Sequence, residues 1–470
     1  MLDEERSGPS GGDGPVHGAV KLAVIIVDGL PCALLDRAYP ELSFLSSRAP
    51  HRSTAVSCFP STTGPAYFPL LAGVTPGRAN VTGIRWFDRT RPTRSRFPHR
   101  GLRSYVGPDA GKLASDTRAT TIYDRHAWPV STPVNKDSPK GREKSRDLLW
   151  VYAHFTHQWD VADRRTAWKL GRALKKDRPI VFAVFPSVDE FGHTKGFEGD
   201  ESYRALIEID RMLAEKLGDF EGEILLTADH GLTATSNHVD LRAVVEAEVG
   251  STIAFPLTGK PDPEAVVCES GNAMANVYLR GGENWVDLPS HVRARELAEV
   301  LNEVEGIDSI AIRGVEEGSA ELHTREGVGS VRFRDGRFDQ HGDAFAESFE
   351  GLTPLEALER SYDEHNPDAA FALTSLFASE RAGDLLVSAS LGWDLRTARE
   401  WPEHHASHGA LHRHHTLVPV LSSQPLPERR LRTIDLFSET LRLAGIPLDE
   451  YPGSDSYAIE QGIWAPGVIR

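Results

Sequence analysis

The chain has 470 residues, of which 40% are hydrophobic and 26% charged, a composition typical of a globular protein with a large core. Its 68 acidic and 52 basic side chains give a formal net charge of −16 at pH 7. A surface built to coat DNA or RNA is excluded, because such binding depends on many Lys and Arg contacts to phosphates. The longest apolar runs are strand-sized, far below the roughly 20 residues of a membrane-spanning helix, so we expect no membrane span.

The N-terminal segment 1–18 is acidic and rich in Gly, Ser and Pro, and it has neither the basic nor the apolar region of a secretory signal. We therefore expect a disordered tail. Cysteines are sparse and odd in number, at Cys32, Cys58 and Cys268. This usage predicts reduced thiols and a cytoplasmic location, not a disulfide framework.

Apolar runs alternate with helical patterns from residue 20 to about 240, the rhythm of βαβ units. We assign residues 19–254 to the first part of an α/β core, in which helices flank a mainly parallel central sheet. Three runs are continuous enough for strands buried on both faces: "KLAVIIVDGL", "PIVFAVFPSVDEFGH" and "EILLTADHGL". The clearest helix covers 201–217, with Gly218 as its predicted stop.

A proline-flanked turn, "SCFPSTTGPAYFPLLAG", precedes a short apolar helix and carries two adjacent threonines, Thr62 and Thr63. Pro60 and Pro65 stiffen this turn, so a hydroxyl at the junction is expected to face the helix N-terminus, where unpaired N–H groups favour negative charge. A threonine that merely caps the helix has the same sequence pattern. A threonine hydroxyl is a poor nucleophile unless a base or a metal activates it.

Residues 85–150 form a polar, basic stretch that contains "RWFDRTRPTRSRFPHRGLRSY" and, further on, "NKDSPKGREKSRD". One interpretation is a solvated loop rich in Arg and Lys. In the other interpretation, Arg85 or Arg103 reaches over a nearby site and holds a phosphate or another anionic group of a substrate, as Arg does in bidentate fashion.

Short alternating segments punctuated by Gly follow, and we assign residues 255–375 to a small α+β insertion. The core is predicted to resume at 376–470, where "AGDLLVSASLGWDL" and "TLVPVLSS" flank a histidine-rich loop. The last element is a predicted helix, "IDLFSETLRLAG", that ends at Gly445.

Acidic and imidazole side chains end or closely follow the three strand-like runs of the core. They are Asp28, Asp189, His193, Asp229 and His230. In open α/β sheets, ligands collect outside the carboxyl ends of parallel strands, so we expect these side chains to meet at one edge. Gly192 is expected to let the chain turn tightly beside a ligand, and Gly231 to let the backbone pass close to it.

The histidine-rich loop supplies one further candidate. His408 precedes Gly409 in a turn-like "SHG" before a strand, while His412 and His414 are alternatives and the other loop histidines are solvated or only support the site. Mixed Asp and His ligands favour zinc, with manganese as the competitor at oxygen-rich sites. Bound cations would also hold a small anionic substrate in this acidic chain.

These motifs resemble the alkaline phosphatase superfamily and, within it, the nucleotide pyrophosphatase/phosphodiesterase branch. The resemblance covers about residues 20–240 and 380–450. It implies an alkaline phosphatase-like fold and two metal ions, most simply zinc. It also implies that Thr63, not Thr62, is the nucleophile. The implied ligands of one ion are Asp28, Thr63, Asp229 and His230, and those of the other are Asp189, His193 and His408.

The chain departs from the family pattern at Ala66, where the phosphodiesterases carry an Asn three residues after the nucleophile. Asn272 is a candidate substitute for holding a phosphoryl oxygen. "CFPST" approaches the Cys-x-Pro-x-Arg signature of sulfatases, but Thr62 stands where Arg is needed, so Cys58 is not expected to become formylglycine. A cofactor-independent phosphoglycerate mutase would use Ser as its nucleophile.

We therefore expect a metal-dependent phosphodiesterase or nucleotide pyrophosphatase that acts on a small phosphorylated substrate through a phosphothreonine. A phosphomonoesterase or a phosphonate hydrolase on the same site is one alternative. A catalytically silent metal-binding scaffold is another. The leaving group and the oligomeric state are left open by the sequence.

Overall fold

The computed structural model describes residues 20–91, 101–104, 116–132, 152–153, 156–197, 200–254, 262–283, 285–396 and 403–469. The predicted tail at 1–18 and the basic segment "NKDSPKGREKSRD" lie outside the described residues. So does much of the predicted loop at 85–150.

The strands of the described residues are, in chain order, β1 Leu22–Val27, β2 His51–Val56, β3 Arg85–Phe87, β4 Leu102–Ser104, β5 Ala127–Val130, β6 Ile180–Phe185, β7 Glu223–Thr227, β8 Thr233–Val239, β9 Thr252–Ala254, β10 Ala265–Ser270, β11 Met274–Leu279, β12 Ile307–Arg313, β13 Ser319–Thr324, β14 Gly327–Arg334, β15 Arg337–Gly342, β16 Phe349–Leu352, β17 Leu385–Ala389, β18 Gly392–Leu395, β19 Ala406–Ser407, β20 Leu417–Ser422 and β21 Leu431–Arg432.

The α-helices of the described residues are α1 Cys32–Ala38, α2 Ser43–Arg48, α3 Tyr67–Ala72, α4 Pro76–Ala79, α5 Trp159–Ala173, α6 Ser187–Lys195, α7 Glu201–Leu217, α8 Leu241–Val249, α9 His291–Asn302, α10 Pro354–Ser361, α11 Ala369–Phe377, α12 Arg413–Thr416, α13 Thr433–Ala444 and α14 Asp455–Glu460. Short 3₁₀ turns cover Tyr39–Glu41, Ile122–Asp124 and Leu448–Glu450.

The central sheet has the strand order β21-β2-β20-β7-β1-β6-β5. Neighbours pair in parallel except around β20, which is antiparallel to both β2 and β7. All six residues of β1 and of β6 are buried, as their continuous apolar sequences require for strands covered on both faces. Helices pack on this sheet, with α5 against β5 and β6 and α13 against β1 and β7. The predicted α/β class, with a mainly parallel sheet flanked by helices, is confirmed.

The two helices predicted from periodicity end where the sequence indicates. In α7, Leu206, Ile209 and Leu213 are buried, and the helix stops before Gly218. In α13 the stop is Gly445, whose φ of 70° lies in the left-handed region that glycine adopts without strain. The apolar stripes of both helices contribute to the core around the central sheet.

A second sheet has the strand order β16-β15-β14-β13-β12-β17-β11-β10-β9. The predicted insertion at 255–375 supplies β10 to β16, but β17 lies among them and pairs antiparallel with β11 and β12. The prediction that the core resumes at 376 therefore differs from the structure at β17, since the central sheet takes up the chain again at β20. The pattern of β17 is a fully buried strand, and that pattern alone does not say which sheet the strand joins. This second sheet contains more strands than a small insertion suggests.

A short three-stranded sheet, β18-β8-β19, joins β8 from the first predicted part of the core to β18 and β19 from the second. Strand β8 follows the end of β7 closely, and β19 pairs with it in antiparallel fashion. Isolated bridges add Ser61 to Gly409 and Asn272 to His408. The histidine-rich loop after β19 is thereby held beside the carboxyl ends of β1 and β7.

Candidate metal centre

Asp28 and Asp229 lie side by side because β1 and β7 are parallel neighbours. Ile26 is in register with Thr227, so both strands end at the same level of the sheet. The backbone N–H of Gly29 donates to Asp229 Oδ1 at 3.3 Å, which fixes the orientation of that carboxylate. Both aspartates are buried, as expected for acids at the covered edge of an α/β sheet.

Asp189 and His193 come from a helix and not from a turn. Helix α6 starts two residues after β6, and side chains four residues apart on a helix share one face. His193 Nε2 lies 3.4 Å from Asp189 Oδ2. The turn predicted at Gly192 is thus wrong. Gly192 is needed for close packing instead, because a Cβ there would lie 2.4 Å from Leu232 Cδ2.

The structure brings His408 into the cluster and leaves the two alternatives outside it. The His408 and His230 rings stack with centroids 3.8 Å apart and an interplanar angle of 7°. His412 is buried with its ring 4.1 Å from that of His415, and His414 is exposed. Gly231 packs closely against the histidine-rich loop, since a Cβ there would lie 2.3 Å from the His414 carbonyl oxygen, and its predicted role beside a ligand stays a prediction.

The three imidazoles of the cluster share one hydrogen-bonding pattern. Nδ1 of His193 lies 2.8 Å from the Ala406 carbonyl oxygen, Nδ1 of His230 lies 3.0 Å from that of Gly231, and Nδ1 of His408 lies 3.3 Å from that of Ser61. A carbonyl oxygen can only accept, so Nδ1 donates in each case. A neutral ring then presents an unprotonated Nε2, the form in which His binds a metal.

Two groups of three side chains bring potential ligand atoms within 4.8 Å of one another. One contains Asp28, Asp229 and His230, and the other contains Asp189, His230 and His408. His230 belongs to both groups, whereas the family resemblance assigns it to one ion and His193 to the other. His193 adjoins the second group through its contact with Asp189.

Burial disfavours the charged forms of the acids and imidazoles in the cluster. It raises the pKa of Asp28 well above its usual value, an effect that the negative charge of Asp229 increases. It also raises the pKa of Asp189 to about 6 and lowers the pKa of His193 to about 4. Within the described part of the chain, Asp189 Oδ1 and Asp229 Oδ2 are buried without a hydrogen bond. Such orphaned carboxylate oxygens, together with neutral imidazoles, fit divalent cations.

Thr63 is the hydroxyl that faces these acids. Its Oγ1 donates to Asp28 Oδ1 at 3.3 Å and lies 3.0 Å from His230 Nε2. Thr62 is fully buried, and its hydroxyl donates to the Thr63 carbonyl oxygen. The predicted position at the helix N-terminus differs from the structure, because α3 begins at Tyr67 and the contacts of the Thr63 hydroxyl are with side chains.

Two side chains that the sequence analysis did not select hold the acids in place. The Tyr67 hydroxyl donates to Asp28 Oδ2 at 3.2 Å, and the Ser57 hydroxyl donates to the Asp229 carbonyl oxygen. Tyr67 follows Thr63 by four residues, a spacing that could have indicated a role near the nucleophile. In the sequence, however, it stands in an apolar run and resembles an ordinary core residue. Ala66 is buried and offers no polar group.

The predicted substrate-binding residues have different surroundings. Asn272 adopts a φ of 62°, bridges to the His408 backbone and places its Nδ2 3.0 Å from His404 Nδ1, beside the cluster. Arg85 is partly buried on β3, and its N–H lies 3.4 Å from Ser270 Oγ. Arg103 is buried in an ion pair with Asp116 and is not available to a substrate. Phosphate binding by Asn272 or Arg85 stays a prediction.

Residues 22–411 match the family described as type I phosphodiesterase / nucleotide pyrophosphatase. The chain belongs to this family. Because the match covers most of the chain, the predicted phosphodiesterase branch of the alkaline phosphatase superfamily is confirmed. The family description is that of phosphoric ester hydrolases, which agrees with the enzyme class predicted from the sequence.

Curated members of the type I phosphodiesterase family are distant relatives of this chain. An uncharacterized pyrophosphatase/phosphodiesterase of Schizosaccharomyces pombe is 24% identical over 312 residues, which are 57% of this chain and 58% of the relative. Ectonucleotide pyrophosphatase/phosphodiesterase 2 of Saccharomyces cerevisiae is 24% identical over 245 residues, 46% of this chain and 48% of the relative. The matches thus span about half the length of these relatives.

Solved structures share the fold over most of the chain. Phosphonoacetate hydrolase of Sinorhizobium meliloti, solved with phosphonoacetate, superposes with a TM-score of 0.55 and 17% identity over 91% of this chain and 96% of its own. Murine ectonucleotide pyrophosphatase/phosphodiesterase 5, solved as an inactive threonine-to-alanine variant with AMP, gives a TM-score of 0.56 and 13% identity over 91% and 96%. In the described residues, no helix is both long and apolar enough to cross a membrane.

Proposed function

We propose that this chain is a phosphodiesterase or nucleotide pyrophosphatase that cleaves a small phosphorylated substrate with Thr63 as the nucleophile. The observation that carries the proposal is the position of Thr63 Oγ1, 3.3 Å from Asp28 Oδ1 and 3.0 Å from His230 Nε2. Family membership supports the reaction class. The inactive threonine-to-alanine variant of the murine relative supports a threonine nucleophile.

Two divalent ions are the cofactors that the donor set fits best, zinc first and manganese as the competitor. Asp28, Asp229 and His230 would hold one ion beside Thr63, and Asp189, His193 and His408 would hold the other. Ions bound there would supply positive charge to the anionic substrate and to the charge that develops on the attacking and leaving oxygens.

The reaction consists of two displacements at phosphorus. Asp28 Oδ1 accepts the hydrogen bond of the Thr63 hydroxyl and so aims Oγ1 at the substrate. Oγ1 forms a bond to phosphorus while the bond to the leaving oxygen breaks, and the hydroxyl proton passes to that leaving oxygen, which yields phosphothreonine. Water then attacks the same phosphorus, and the Thr63 oxygen leaves with a proton.

The test is a matched pair of substitutions, Thr63→Ala and Thr62→Ala, assayed with bis-p-nitrophenyl phosphate. Thr63→Ala should lower kcat by about a thousand-fold or more, because the attacking atom is gone, with full metal content. Thr62→Ala should retain turnover, since its hydroxyl points at the backbone. Unchanged turnover in metal-replete Thr63→Ala would show that Thr63 is not the nucleophile.

Phosphonate cleavage is the second candidate, because a phosphonoacetate hydrolase shares the fold over 91% of the chain. Parallel assays with bis-p-nitrophenyl phosphate, p-nitrophenyl phosphate and a phenylphosphonate separate the diesterase, monoesterase and phosphonate activities. A clear preference for the monoester or the phosphonate contradicts the diesterase proposal. The proposed cytoplasmic location is tested separately by cell fractionation.

A further inference from the structure

A strongly basic surface lies on α5 and the turn that follows it, away from the metal centre. Five side chains, here called the basic face, are exposed on this helix surface: Arg165, Trp168, Arg172, Lys175 and Lys176. Trp168 is 45% exposed, which is unusual for so large an apolar ring. The opposite side of α5, with Ala162, Ala167 and Leu170, is buried.

The cations of the basic face are organised around aromatic rings. The guanidinium carbon of Arg165 lies 4.5 Å from the centre of the Trp168 ring, and that of Arg172 lies 4.8 Å from it. Because Arg165 is three residues before Trp168 and Arg172 four after it, they approach the indole from neighbouring turns. Lys176 Nζ lies 5.0 Å from the ring of Trp128 on the edge strand β5. Stacked guanidinium groups keep their N–H edges available for anions.

These four cations form no ion pair within the described part of the chain, whereas the adjacent Arg164 is paired with Asp160. Asp177 is the nearest acidic residue in sequence, just beyond Lys176. An unpaired cationic surface on a chain with a net charge of −16 points to an anionic partner, since the rest of the surface repels one.

We propose that the basic face docks the protein on an anionic lipid surface. Closely spaced Arg and Lys side chains match a layer of lipid phosphates, and an exposed Trp edge suits the region between headgroups and acyl chains. Single-stranded nucleic acid is disfavoured because base stacking needs an open aromatic face, and two Arg side chains cover Trp168. The apolar side of α5 stays in the core, so the contact is peripheral.

Vesicle sedimentation of the full chain tests this proposal. The protein should sediment with phosphatidylcholine vesicles that contain about 30% phosphatidylserine at about 0.1 M salt, and not with phosphatidylcholine alone. Each cation near the surface contributes about a five-fold increase in partitioning, so Arg165→Gln with Arg172→Gln should lower binding by about 25-fold. Trp168→Ala should remove quenching of tryptophan fluorescence by brominated lipid.

The matched control is Arg334→Gln with Arg337→Gln, which makes the same charge change at the exposed adjoining ends of β14 and β15. Hydrolysis of a soluble substrate should be unchanged in both double variants, which also shows that they fold. Equal binding to neutral and anionic vesicles overturns the proposal, as does equal loss in the control. Binding of poly(U) through the same residues, without binding to vesicles, would assign the face to nucleic acid and also overturn it.

Discussion

At the scale of single residues, the candidate centre depends on side chains that orient other side chains. Each of its three histidines donates Nδ1–H to a backbone carbonyl, and Asp28 divides its oxygens between two partners. Oδ1 faces Thr63, while Oδ2 accepts from the buried Tyr67 hydroxyl at 3.2 Å. The position of the carboxylate that contacts Thr63 therefore depends in part on the buried Tyr67 hydroxyl.

Tyr67→Phe should weaken both turnover and metal retention. The substitution keeps the ring in its buried place but removes the donor to Asp28 Oδ2, and an unsatisfied buried carboxylate oxygen costs about 1–3 kcal/mol. We expect kcat/KM to fall by about 10- to 100-fold and zinc to be lost at a lower chelator concentration. Steady-state kinetics and a competitive chelator titration measure the two effects.

Tyr451→Phe is the control for Tyr67→Phe. Tyr451 is also buried, but its hydroxyl has no hydrogen bond to any described residue, so its removal should change neither kinetics nor metal retention. A Tyr67→Phe protein with the zinc affinity and kcat/KM of the parent chain would show that the hydroxyl has no positioning role.

The sequence predicted some of these residues and concealed others for physical reasons. Asp28 and Asp229 stand directly after strands buried on both faces, a pattern that places them at one sheet edge. Tyr67 lies inside an apolar run, where its hydroxyl has no distinguishing neighbours. In the sequence, only the glycine that follows His408 distinguishes it from His412 and His414. The pairing of β8 with β19 shows why this loop position reaches the site.

At the scale of elements, helix α6 brings together two predicted site residues although its local structure was predicted wrongly. Asp189 and His193 share a face because they are four residues apart on a helix, not because Gly192 makes a turn. Asp163 of α5 accepts hydrogen bonds from the N–H and hydroxyl of Ser187, which anchors the start of α6. Strand β17 illustrates the opposite limit, since a buried run predicts a strand but not its sheet.

Glu364 connects elements of the second sheet and should make stability depend on pH. This residue, 7% exposed, accepts from Gln340 Nε2 of β15 and from the Glu347 N–H, both at 3.2 Å. Burial raises its pKa to about 7, so the folded state binds a proton that the unfolded state releases near pH 4.5. The contribution of Glu364 is therefore present below about pH 4.5 and is lost as the pH rises through 7, by up to about 3 kcal/mol.

Urea unfolding at a series of pH values in excess chelator measures this dependence. Glu364→Gln should make the decrease between pH 4.5 and 7 smaller by up to about 3 kcal/mol, because the amide does not titrate. Glu350→Gln, at an exposed position on β16, should leave the decrease in place. Parallel curves for all three proteins would mean that Glu364 does not cause the pH dependence.

At the scale of the whole molecule, two sheets and the short β18-β8-β19 sheet enclose a cluster of buried acids. The strand ends supply Asp28 and Asp229, α6 supplies Asp189, and the loop after β19 returns His408 from more than 170 residues away in sequence. Three carboxylates this close together repel one another, and bound cations would offset that repulsion, so stability and metal binding should be coupled.

Removal of divalent ions should lower the melting temperature of the parent chain below that of the Asp229→Asn variant. Zinc at about a hundred times its dissociation constant should add about 3 kcal/mol and raise Tm by several degrees. Burial raises the pKa of all three aspartates, that of Asp189 to about 6, so the contribution of Asp189 to the stability of the chelated chain should be lost as the pH rises through 6. Asp229→Asn removes one of the three charges, so at pH 8 the chelated variant should melt above the chelated parent.

The decisive test adds zinc to the two chelated proteins and compares their melting temperatures, the order of which should reverse. The parent should gain stability and Asp229→Asn should not, because Asn is a weaker ligand that carries no charge. Thr63→Ala serves as the control, since it removes the nucleophile but leaves every acid and imidazole in place and should keep most of the zinc-dependent increase in Tm. A chelated Asp229→Asn protein that melts below the chelated parent at pH 8 would contradict this prediction. It would show that the hydrogen bond from Gly29 to Asp229 stabilises the fold by more than the charge of Asp229 destabilises it.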